Sequence, residues 1–158
     1  VFITLHAAAG ALAGELSPSY PSAFAFGFLT HFPLDMFPHG DRGFGHRAKH
    51  GRAARAYTLM IVADVVAALA LMYGAILTGR FDRPFHAFLG ALAGVLPDVV
   101  VGLTEYAQVI KKSARTYFRG FYRFHTYNHN RLITFYDFGM KFGLVYQVIV
   151  LLLILKLW

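Results

Sequence analysis

The chain has 158 residues, 57% of them hydrophobic and 16% aromatic, with a mean hydropathy of +0.50. A soluble domain of this length cannot hide so much apolar surface, so lipid is expected to cover the excess. Cysteine is absent, which excludes disulfides and thiolate metal sites without identifying a redox compartment.

Five apolar segments follow one another, at residues 2–16, 19–37, 57–77, 84–104 and 135–158. The last three approach the roughly 20 residues that a helix needs to cross a hydrocarbon core. The first two, joined by Ser17-Pro18, read as a hairpin whose first helix is short or trimmed. The chain begins with Val1 instead of Met, which suggests missing residues and leaves any targeting segment undetermined. Open backbone hydrogen bonds are not tolerated in lipid, and these runs are continuous instead of alternating, so the expected fold is an all-α integral membrane bundle of about five transmembrane helices. It forms one membrane domain, residues 1–158.

Charge orients the bundle. Residues 39–55 carry Arg42, Arg47, Lys49, Arg52 and Arg55, and residues 111–131 carry Lys111, Lys112, Arg115, Arg119, Arg123 and Arg131. Both stretches are expected in the cytoplasm, whereas residues 79–83 carry only Arg80 and Arg83 and lie on the other side. The location implied is a multi-pass protein of the cell inner membrane. These loops explain most of the net charge of +7, so nucleic acid is not expected as a partner.

His6-Ala-Ala-Ala-Gly10-Ala-Leu-Ala-Gly14 recurs as His86-Ala-Phe-Leu-Gly90-Ala-Leu-Ala-Gly94. Duplication of a three-helix unit, with halves 1–79 and 80–158, and chance recurrence of small residues at helix contacts both account for this. The expected topology sets the copies in opposite directions, as in transporters with inverted repeats.

Ionisable groups inside lipid are functional candidates by default. His6, His31, Asp35, Asp64, Asp98 and Glu105 fall in or near the apolar segments and are expected to converge on the cytoplasmic side, with His86 at the outer face. His31 and Asp35, four apart, stack an imidazole and a carboxylate on one helix face, where they can share a metal such as zinc or another divalent cation. The alternative is a hydrogen-bonded pair that steadies helix packing. Pro33 kinks this helix and Pro38 ends it, leaving His39 and Asp41 to fold back toward the ion. His125 and His129, also four apart, either complete the cluster or form an interfacial pair. Asp98, Gly102 and Glu105 share one face beyond Pro97, and Asp64 is expected to pair with a histidine or arginine from another helix.

The His31-Phe-x-x-Asp35 core followed by Pro38 and His39 resembles the metal-binding helix of the zinc-dependent phospholipase C and single-strand nuclease superfamily. That resemblance implies zinc on His31 and Asp35, an aspartate that bridges ions, and a later histidine as a further ligand. A second resemblance is to the small bacterial membrane-bound metal-dependent hydrolases. It rests on His86 to Gly90 running to Leu96-Pro97-Asp98, on His125 to His129, and on Thr30-His31 to Asp35, in permuted order and with Val100 where a second Asp is usual.

The function expected is hydrolysis of a phosphate or other ester of a lipid-like substrate, such as a phospholipid, at the cytoplasmic face. The metal ligands expected are His31 and Asp35, then His39, His6 and Asp98, then His125 and His129. Asp41 or Glu105 would serve as general base. Arg115, Arg119 and Arg123 either grip lipid phosphates or serve only to set topology. Two alternatives use the same buried groups: a transporter or proton relay, and haem binding through His6, His31 or His86.

Overall fold

The structure, a computed structural model, describes residues 2–37, 39–40, 54–109, 118–131 and 139–158. Among these it is all-helical, with six helices and no strand: α1 (Ile3–Glu15), α2 (Tyr20–Met36), α3 (Ala54–Leu77), α4 (Pro84–Val109), α5 (Arg119–Arg131) and α6 (Met140–Leu155). Five of them occupy the apolar segments. The sixth, α5, lies within the basic stretch read from the sequence as a loop.

Local chemistry sets several ends. Ser19 caps α2 through a reciprocal pair of bonds with Ser22. At its other end Phe37, the residue before Pro38, is extended at φ −81° and ψ 144°, so the helix stops where a following proline disfavours helical backbone. The helix runs through Pro33.

α1 has Phe2 at its cap position and no capping side chain of its own. Asp64 of α3 takes that role. Its carboxylate accepts from the backbone N–H of Ile3 at 2.6 Å and Thr4 at 3.2 Å, and from the Thr4 hydroxyl at 2.6 Å. This corrects the expectation of a histidine or arginine partner: the positive end of an uncapped helix supplies the compensation instead. Glu15 does the same for α4, accepting from the N–H of Asp82 and Arg83. Asp64→Ala is expected to cost about 1 kcal/mol, the usual worth of an N-cap. Thermal unfolding of the purified protein measures it, and an unshifted midpoint would show that the carboxylate is dispensable.

The two histidine-glycine repeats pair with each other, antiparallel. Gly94 lies beside His6, Gly90 beside Gly10 and Gly14, and Gly14 beside His86. A Cβ on Gly94 would sit 2.6 Å from the His6 carbonyl oxygen, and one on Gly90 would sit 2.8 Å from the Gly14 Cα. Backbones this close admit no side chain between them. α2 joins the same node from a third direction, since a Cβ on Gly27 would lie 2.6 Å from the Gly90 Cα. It runs parallel to α4, so one turn beyond the Gly27–Gly90 contact comes His31 beside Gly94, and one turn further come Asp35 and Asp98.

These contacts gather one set of ends. The start of α1, the end of α2, the middle of α3 and the first half of α6 meet through Asp64, Gln147 and Gly143. At the far end, Trp158 packs on Phe81 and His86 on Tyr20. Among the described residues His86 is therefore remote from His6, His31, His39, His125 and His129, as its position in the sequence implies.

Among the described residues two helices are long and apolar enough to cross a membrane, at Thr58–Leu77 and Pro84–Ala107. α1, α2 and α6 are shorter, with 13, 17 and 16 residues. Much apolar surface is open. Leu59, Val66, Leu69 and Leu77 of α3 and Leu152 and Leu153 of α6 are all more than half exposed.

Candidate metal centre

Where the glycine node ends, four helices aim ionisable groups at one point. The Nδ1–H of His31 donates to the Gly94 carbonyl at 2.8 Å. A carbonyl only accepts, so Nδ1 carries a proton and Nε2 faces inward, where in the neutral ring it offers a lone pair. That nitrogen stands 2.9 Å from the Nε2 of His125, 3.0 Å from Asp35 Oδ2 and 3.7 Å from Asp98 Oδ1. His125 is itself 3.3 Å from Asp98 and 3.5 Å from Asp35. The side chains of His31 and Asp35 are fully buried, and that of His125 nearly so.

A second group shares one member with the first. Asp35, His39 and His129 bring ligand atoms within 4.8 Å of one another, as do His31, Asp35, Asp98 and His125. His39 repeats the tautomer logic: its Nδ1–H donates to the Phe37 carbonyl at 2.6 Å, so Nε2 is the nitrogen left to act as a ligand. Its ring meets that of His129 edge-on at 5.0 Å. His129 in turn stacks on His125 at 5.8 Å, as residues four apart on α5 should.

Comparison with family models, with curated proteins and with solved structures finds no match.

Chemically, the donors are imidazole nitrogens and carboxylate oxygens in a dry setting. Zinc and other divalent cations suit such a set. The two facing Nε2 atoms also need something between them, because imidazole lone pairs 2.9 Å apart repel unless a cation or a proton intervenes. Haem fits less well. His6 and His31 stack face to face at 3.9 Å, which leaves no room for a macrocycle between the rings, and His86 is at the other end of the bundle.

The residues expected from the sequence divide as follows. His31, Asp35, His39, Asp98, His125 and His129 come together. His6 belongs to neither ligand group. It lies behind them, with Nε2 3.1 Å from Asp35 Oδ1 and 3.8 Å from Asp98 Oδ2, where it can donate to Asp35 and orient that carboxylate. Glu105 stands seven residues along α4 from Asp98, a separation of about 10 Å at 1.5 Å per residue. It is too distant to take a proton at the cluster directly. Arg119 and Arg123 are exposed on α5, whose inward row carries His125 and Asn128. Asp41 and Arg115 lie outside the described residues.

Two contributors carry no metal-ligand chemistry and had no motif to announce them. Asn128 donates to the Phe32 carbonyl at 3.2 Å and fastens α5 to α2. Gln147 donates to the His39 carbonyl at 2.8 Å. The one available signal for Gln147 was an amide set within the otherwise apolar run from Phe142 to Leu155.

Proposed function

We propose that this chain is a membrane-embedded, metal-dependent hydrolase acting on a phosphate or other ester of a lipid-like substrate at the cytoplasmic face of the inner membrane. One observation carries the reading: the Nε2 of His31 faces the Nε2 of His125 at 2.9 Å, with oxygens of Asp35 and Asp98 closing the space. His31 and His125 would hold a cation with Asp98, Asp35 would be shared with His39 and His129, and zinc fits this donor set. A zinc ion so held would lower the pKa of a bound water toward neutrality, supplying a nucleophile. The motif resemblance to small membrane-bound metal-dependent hydrolases points the same way.

The surroundings support a lipid-like substrate. Asp98 is 25% exposed where His6, His31 and Asp35 are fully buried, so the centre is most open along α4. One turn on, Gly102 has nothing within 4 Å of where a side chain would begin, among the described residues. An ester can lie there. The exposed apolar faces of α3 and α6 suit lipid, and the end of α2, from which the first basic stretch departs, lies at the centre. Arg119 and Arg123, exposed on α5, would then meet anionic headgroups.

The test is elemental analysis of detergent-purified protein together with release of phosphate or fatty acid from phospholipid micelles. Stoichiometric zinc with turnover supports the reading; metal-free protein without turnover ends it. Gly102→Phe, which fills the notch without touching a ligand, should keep its zinc while kcat/KM for phospholipid falls about 10–100-fold. Full turnover by that variant would place the substrate elsewhere. A transporter or proton relay is a second reading, favoured by the antiparallel pairing of the two histidine-glycine copies. Metal-free protein that moves an ion into liposomes would select it.

A further inference from the structure

The last helix supplies no ligand to the centre, yet it holds the segment that carries one. Gln147 is 3% exposed, and an amide buried to that degree is costly unless both of its ends are bonded. Both are: Nε2 donates to the His39 carbonyl at 2.8 Å, and Oε1 accepts from the Phe2 N–H at 2.7 Å. One side chain thus joins the start of α1, one turn before His6, to the backbone of His39.

The helix surface around it is shaped for the same segment. Gly40 has a φ of +80°, a conformation that glycine adopts at no steric cost. A Cβ on Gly40 would sit 2.8 Å from the Gly143 Cα, and one on Gly143 would sit 2.5 Å from the Gly40 Cα. Backbone therefore touches backbone, and Gln147, one turn along from Gly143, reaches the carbonyl just before that contact. The His39 ring is pinned separately by its bond to Phe37, so carbonyl, tautomer and ring direction are all set.

We propose that Gln147 is the positioning residue of the second cation group, fixing His39 against Asp35 and His129 while leaving the His31, Asp98 and His125 group alone. This rests on the hydrolase reading above. The distance a ligand atom must hold is tight, and removal of an outer-shell partner typically costs 10–100-fold in metal affinity.

The experiment uses the full chain in detergent, stripped with chelator and titrated with Co²⁺ alone, following the visible d–d bands and the bound stoichiometry. Wild type is expected to take a cation at each group. Gln147→Met, which keeps the volume and removes both bonds, should weaken the second binding step roughly 10–100-fold and leave the first step and its spectrum unchanged. Gln147→Glu keeps the acceptor for Phe2 and loses the donor for His39; the same selective loss is expected, and this variant decides if Gln147→Met does not fold. Wild-type affinity at both steps in Gln147→Glu, or equal weakening of both, overturns the assignment while the hydrolase reading stands. Wild type that takes no Co²⁺ overturns that reading and this assignment with it.

Discussion

Asp35→Asn is expected to empty both ligand groups at once, because Asp35 is the member they share. His125→Ala should be milder, since it touches only the group that contains His31 and Asp98. Removing an outer-shell partner already costs roughly 10–100-fold in affinity, so loss of a shared ligand should exceed about 100-fold. Asparagine keeps the shape of the side chain and an oxygen that can still accept from His6, which now lies 3.1 Å away, so the fold should survive. Zinc per chain after dialysis, read beside helix content, measures the effect. Asp35→Asn retaining as much zinc as wild type would remove the basis for a metal centre here.

The second large effect belongs to Gly90. A side chain there would meet the Gly10 carbonyl oxygen, with the Gly14 Cα at 2.8 Å and the Gly14 N at 2.9 Å. All three are backbone atoms, which cannot rotate away as the tip of a side chain can. Overpacking usually costs 1–3 kcal/mol, and with no flexible neighbour Gly90→Val should reach about 3 kcal/mol or more, a fall of roughly 6–12 °C in the unfolding midpoint. Gly102→Ala is the matched control. It lies on the same helix with open space beside it, so it should be neutral or gain up to about 1 kcal/mol from helix propensity. Gly90→Val unfolding at the wild-type temperature would mean that the three helices are not held this close.

That node also explains what could and could not be read from the chain. The His31–Asp35 pair was legible because both residues lie on one helix, where spacing alone puts them on one face. The histidine-glycine repeat was legible as a motif. Its partner was not, since periodicity says which face of a helix is small and nothing about which other helix meets it. The meeting of His31 with His125, 94 positions apart, follows from tertiary packing, and spacing along the chain leaves it as one of several completions. Asp64 takes a helix terminus instead of a cationic side chain as its partner; the absence of a cap at Phe2 is the clue that this terminus needs one. Glu105 shares a helix face with Asp98, as expected, but a shared face does not shorten the distance along the axis. The helical character of residues 119–131 was hidden by their charge, which reads equally well as loop.

The bonds at the start of α1 reach far along the chain. Ile3 is held by a residue 61 positions later and Phe2 by one 145 positions later. During synthesis the first helix therefore has no fixed terminus until the third has been made, and none of its final bonds to Gln147 until the last has left the ribosome. A nascent chain cut between His129 and Gln147 would carry the histidines without the closure that aligns them, so the centre cannot close until the chain has been made through Gln147.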